Sequence, residues 1–192
     1  MERAKAIHTI IVEMTTGMLV LATVAVVILS WIAFFGGDRQ RRIREASDAV
    51  VLFATTIGVP MLLLAILSGF RQWPFEAFLH GAIVQNKILT SIIALCFWGT
   101  LLFFRLVGGS RVWERKVPTL YGLVLALGGF AFLVFTASIG GTLASKPSGF
   151  EELSRAFVET RRTFVFPTAV NALLIGVGIL FPVAVFLRGT RK

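Results

Sequence analysis

Long apolar runs joined by short charged links dominate this chain. The first occupies about 7–35. Its opening turns carry His8, Glu13, Thr15 and Thr16, and its fully apolar part is 17–35. The second covers about 49–70 with Pro60 at its middle, a position where a proline removes one backbone bond and favours a kink. The third covers about 79–107; its entrance is polar (His80, Gln85, Asn86, Lys87) and Arg105 marks its exit. The fourth covers about 118–139, with Pro118 suited to a first helical turn. A fifth covers about 167–187.

About 20 apolar residues in a helix cross the roughly 30 Å hydrocarbon core of a bilayer. Within that core each backbone N–H and C=O has to be satisfied inside its own element, so runs of this length are expected to be helices. A membrane barrel would instead alternate with a period of two, which these runs do not. The expected fold is an all-α integral membrane protein, a single transmembrane domain over 1–192 with about five helices in a bundle. The first run is too long for a cleavable leader and lacks a small-residue cleavage site, so it is expected to stay as a span. In the loop 140–166, Ser148 and Glu151 have capping-box spacing, and Phe150, Leu153 and Phe157 recur at helical intervals. That pattern predicts a short amphipathic surface helix over 149–162.

Composition agrees with the pattern. Of 192 residues 56% are hydrophobic, with 18 Phe against one Tyr and a mean hydropathy of +0.84. The net charge of +9 would suggest nucleic acid in a soluble protein. In a membrane protein it reads as basic loops on the cytoplasmic side, so lipid and other membrane subunits are the expected partners, and nucleic acid is not. If the N-terminus lies outside, the inner segments hold 11 of the 19 basic residues and 4 of the 10 acidic ones. The bias predicts N-terminus out and C-terminus in, in a prokaryotic plasma membrane. Cys96 is the single cysteine, so an intrachain disulfide is excluded.

In this orientation the polar residues at the span entrances gather at the outer face. His8 and His80 are the two histidines of the chain and are expected at similar depth. Histidines on different helices of a bundle can ligate a b-type haem axially, and imidazole also suits copper or zinc. Glu13 could carry a proton, ligate a metal or pair with Lys87. Lys87, seven residues after His80, could neutralise a haem propionate or a quinone oxygen. At helix ends such residues also face headgroups and water, and a lysine there often snorkels. Arg105 is expected to snorkel at the inner end. Asn171 is expected to make an interhelical hydrogen bond. Gly122, Ala126 and Gly129 form a small-residue face for close helix packing. Phosphate loops, nucleophile elbows, metalloprotease pairs and CxxC motifs are missing from the sequence, so a stand-alone soluble enzyme has no foothold.

The run from His8 to Leu19, His-Thr-Ile-Ile-Val-Glu-Met-Thr-Thr-Gly-Met-Leu, resembles the His-Pro-x-x-Val-His-Phe-Pro-x-Ala-Leu opening of a four-helix prokaryotic membrane family of unknown function. Leu67-Ser68-Gly69 through Trp73, Phe78-Leu79-His80 and Ala137 through Gly141 are similar to further motifs of that family. The resemblance covers about 8–149 and implies haem or metal binding by His8 and His80 near the outer face. Thr9 stands where the family has proline, and Glu13 where it has its second histidine, a departure that bears directly on axial ligation. The fifth span is extra to the family pattern.

Two functions are therefore expected to compete. One is a membrane subunit of a redox or energy-converting complex, holding a b-type haem for electron transfer. The other is a scaffold or assembly subunit without cofactor.

Overall fold

A computed structural model of the chain describes residues 2–36, 40–72 and 74–143. The predicted fifth span, the surface helix at 149–162 and Asn171 lie outside the described residues. Within them the protein is all-helical and without strands. The helices are α1 (Glu2–Phe35), α2 (Arg41–Phe70), α3 (Phe75–His80), α4 (Ala82–Gly108) and α5 (Lys116–Leu143). Four of these, all but the six-residue α3, are long and apolar enough to cross a membrane. At 1.5 Å per residue, 27 residues of α4 reach about 40 Å, more than the hydrocarbon core requires.

The four long helices run up and down. Helix α1 packs on α2 and α5, and α4 packs on α5 and α2, which closes a four-membered bundle. The outward faces stay apolar: Trp31 is 63% exposed, Phe53 58% and Val117 79%. A water-soluble bundle would put charge there, so these faces are suited to lipid.

Hydrophobicity alone does not hold helices together in lipid; close packing does. Small residues supply it here. Gly58 of α2 lies against Leu19 of α1, where an added Cβ would come within 2.6 Å of Leu19 Cδ2. The predicted small-residue face of α5 is buried inside the bundle. Gly122 receives the Trp113 ring, and a Cβ on Gly129 would meet Trp98 Nε1 at 2.7 Å. Trp98 and Trp113, both fully buried, are thus seated in notches cut by glycine. The Trp98 N–H has no hydrogen-bond partner among the described residues, and the glycine notch fits the indole by shape.

Three boundaries depart from the hydropathy reading. Helix α2 starts at Arg41 instead of 49, because the charged link is itself helical. Its residues are good helix formers, and Arg41 Nε donates to Glu45 Oε1 at 2.8 Å one turn on. The predicted third span is divided at Gly81, whose extended backbone (φ −87°, ψ 94°) separates α3 from α4. Helix α5 continues to Leu143, so Gly140 and Gly141 are helical and do not open a loop. Helix α2 runs unbroken past Pro60. Between α4 and α5, Gly109 takes a left-handed φ of 64° and turns the chain into a 3-10 turn, Ser110–Glu114.

Candidate functional site

Antiparallel helices bring two sets of polar residues together, one at each end of the bundle. The start of α2, the end of α4 and the 3-10 turn share the Arg-rich end. There Arg105 reaches Asp48 with both its Nε and its Nη2, the latter at 2.6 Å from Oδ2. The Trp113 indole N–H donates to Asp48 Oδ1 at 2.7 Å. Both partners of the ion pair are largely buried, with side chains 12% and 10% exposed. Arg105 therefore does not snorkel. A guanidinium that can meet a carboxylate with two parallel N–H bonds keeps its charge satisfied inside the bundle. Asp48 thus accepts three hydrogen bonds, from Arg105 Nε and Nη2 and from Trp113 Nε1, and the arrangement is a structural clamp between α2, α4 and the 3-10 turn.

The opposite end is open. A cavity of about 670 Å³ lies between α1, α2, α4 and α5. Its volume falls in the range of small-molecule sites, roughly 300–1,000 Å³. The start of α1 contributes His8, Glu13 and Thr16, α4 contributes Lys87 and Ser91, and α5 contributes Thr136. Leu62, Ile66, Ile88 and Leu133 line it with hydrocarbon.

The small polar residues around it are satisfied mostly by backbone. Thr15 donates to Ile11 O at 2.7 Å, Thr16 to Val12 O at 2.9 Å and Ser91 to Lys87 O at 2.7 Å. A hydroxyl bonded one turn back along its own helix can sit at membrane depth at low cost. Thr136 of α5 donates to Thr90 of α4 at 2.9 Å and ties those two helices beside the cavity.

His8 is half-buried and its Nδ1 lies 2.8 Å from Ser68 Oγ on α2. Ser68 has one hydroxyl proton, and it is directed to Ala65 O at 3.1 Å. In the tautomer protonated at Nδ1, His8 donates to Ser68 and Nε2 keeps a lone pair. That nitrogen can accept a proton or coordinate a metal. Lys87 is partly buried, and its Nζ reaches towards α5, where an added Cβ on Gly140 would stand 3.1 Å away. Glycine at 140 leaves the space that the ammonium uses. Glu13 lines the cavity but is exposed, and no ion pair joins it to Lys87; among the described residues the ion pairs are Arg41–Glu45 and Arg105–Asp48.

Three of the four residues singled out from the sequence therefore face one cavity: His8, Glu13 and Lys87. The fourth does not. His80 ends α3, is exposed and is absent from the cavity wall. The physical reason is Gly81. A continuous helix would have set His80 and Lys87 on one face, and the extended residue between α3 and α4 breaks that relation. His8 and His80 therefore do not line one cavity. Among the described residues no group of three or more His, Cys, Asp and Glu side chains is positioned to hold a metal ion.

The Asp48–Arg105–Trp113 contact was missed from the sequence, although a signal was present. Asp48 immediately precedes an apolar run and Arg105 stands near the exit of another, at the same predicted end of the bundle. Trp113, in a link between spans, carried no such mark. The chain matches no family model, no curated protein and no solved structure.

Proposed function

We propose that this chain is an integral membrane subunit that holds a small amphiphilic molecule in the cavity between α1, α2, α4 and α5. One observation carries the reading. A cavity of about 670 Å³, walled largely by aliphatic side chains, has a histidine, a lysine and a carboxylate at the same end of the bundle. Polar and ionisable side chains at membrane depth mark ligand or proton sites by default. The Arg-rich end of the bundle is assigned to the cytoplasmic side of a prokaryotic plasma membrane, which sets the cavity at the outer face.

Redox carriers are the class of amphiphile that best uses these groups, in a redox or energy-converting complex. A quinone carbonyl can accept from Lys87 or from a protonated His8. For a b-type haem, His8 Nε2 offers one axial nitrogen and Lys87 a counter-charge for a propionate, while the second axial position would need a group other than His80. The likeness of the His8–Leu19 run to the four-helix membrane family supports the same end of the molecule. A cofactor-free scaffold is less well supported, since the glycine face of α5 is occupied within the chain by Trp98 and Trp113.

The test is to purify the full chain in mild detergent, record a reduced-minus-oxidised spectrum and extract bound organic molecules for mass spectrometry. A Soret band or a near-stoichiometric quinone, either one lost in His8→Ala or Lys87→Ala, is expected. A preparation free of haem, metal and any stoichiometric amphiphile would overturn the proposal.

A further inference from the structure

The wall of the cavity is electrically uneven. Lys87 is partly buried where an apolar wall meets the end of the bundle, and it has no ion-pair partner among the described residues. The acid on the same wall, Glu13, is exposed and does not pair with it. The other titratable group on the wall, His8, becomes a second cation when protonated, so it cannot compensate the lysine. A desolvated cation without a counter-charge is costly, and the protein elsewhere avoids that cost: Arg105 is fully matched by Asp48. The space kept by Gly140 shows that the ammonium is accommodated, not merely tolerated.

We infer that the cavity selects an anionic amphiphile, a carboxylate or phosphate head on an apolar tail, with Lys87 as its counter-charge. This deepens the proposed function, on which it rests, and narrows its occupant from a neutral quinone to an acid-bearing molecule. The head takes the Lys87 ammonium directly. The tail lies along Leu62 and Ile66 of α2, Ile88 of α4 and Leu133 of α5.

The experiment uses the full chain in detergent and a fluorescent long-chain fatty acid, competed with the unlabelled acid, its methyl ester and an alkyl phosphate. Wild type is expected to bind the acid and the alkyl phosphate at least tenfold tighter than the ester. Lys87→Gln is expected to lose that preference, and Lys87→Arg to keep it. Mass spectrometry of molecules retained through purification separates a membrane-derived acyl lipid from an acid-bearing cofactor. Equal binding of acid and ester, or a preference that survives in Lys87→Gln, would overturn the inference while leaving the cavity a ligand site. If no amphiphile binds at all, the proposed function fails with it. Thermal melting of each variant shows whether a loss reflects unfolding.

Discussion

At the Arg-rich end of the bundle an acid, a guanidinium and an indole N–H satisfy one another, whereas at the opposite end His8, Glu13 and Lys87 share a cavity with no ion pair to them among the described residues. The two ends draw on the same side-chain chemistry, and their different closure shows what each is for. A carboxylate that accepts from a bidentate arginine and from tryptophan is held by three hydrogen bonds. It holds α2, α4 and the 3-10 turn in register. The open end holds its helices through weaker ties, His8 to Ser68 and Thr136 to Thr90, and keeps charged groups uncommitted. The clamp lies at one end, and the ligand chemistry proposed above at the other.

This contrast predicts very unequal mutational costs. Asp48→Ala leaves a buried guanidinium without its partner and is expected to destabilise the protein by about 3–5 kcal/mol. Chemical or thermal unfolding in detergent measures it. A paired Asp48→Leu, Arg105→Met variant should recover most of that loss, because no charge is then stranded. If the single variant melts like wild type, the clamp does not carry stability.

The glycine notches come next. Gly129→Ala sets a Cβ 2.7 Å from Trp98 Nε1, and overpacking of this kind costs about 1–3 kcal/mol. The matched control is Gly17→Ala, whose added Cβ meets nothing within 4 Å and which should melt no lower than wild type.

The smallest stability effect belongs to the cavity. Ser68→Ala removes the partner of His8 Nδ1, and interhelical hydrogen bonds in membranes average about 0.6 kcal/mol. Its larger consequence is expected in binding. Without Ser68 to hold the ring and its tautomer, retention of a ligand that uses Nε2 should fall several-fold while the melting temperature barely moves. A variant that melts much lower but binds normally would reverse the assignment of the two ends.

The helices were legible because lipid makes a severe demand that hydropathy records directly. Each long apolar run from 7 to 143 corresponds to a long helix. The departures are instructive. Charged residues at 41–48 lowered hydropathy but not helix propensity, so α2 is longer than its membrane part. At Gly81 the hydropathy stayed high across a backbone break, and the facing of His80 towards Lys87 was lost with it. Polarity at membrane depth was enough to single out His8, Glu13 and Lys87. It could not rank them against His80, since depth along a helix says nothing of which way a side chain faces.

The chain's own pattern thus determined an all-helical membrane architecture, the gathering of histidine, lysine and glutamate at one end, and the basic character of the other. These follow from local composition, since a backbone in hydrocarbon must bond within its helix. The tertiary fold alone decided that Asp48, Arg105 and Trp113 meet, that the α5 glycines are notches for two tryptophans, and that His8 and Lys87 share a cavity from which His80 is excluded. Those outcomes depend on helix rotation and on contacts between residues far apart in the chain, 57 positions for Asp48–Arg105 and 65 for Asp48–Trp113, which hydropathy does not encode. The cavity with which this section's comparison began is therefore a product of packing, and Lys87 is the residue on which its chemistry can be tested.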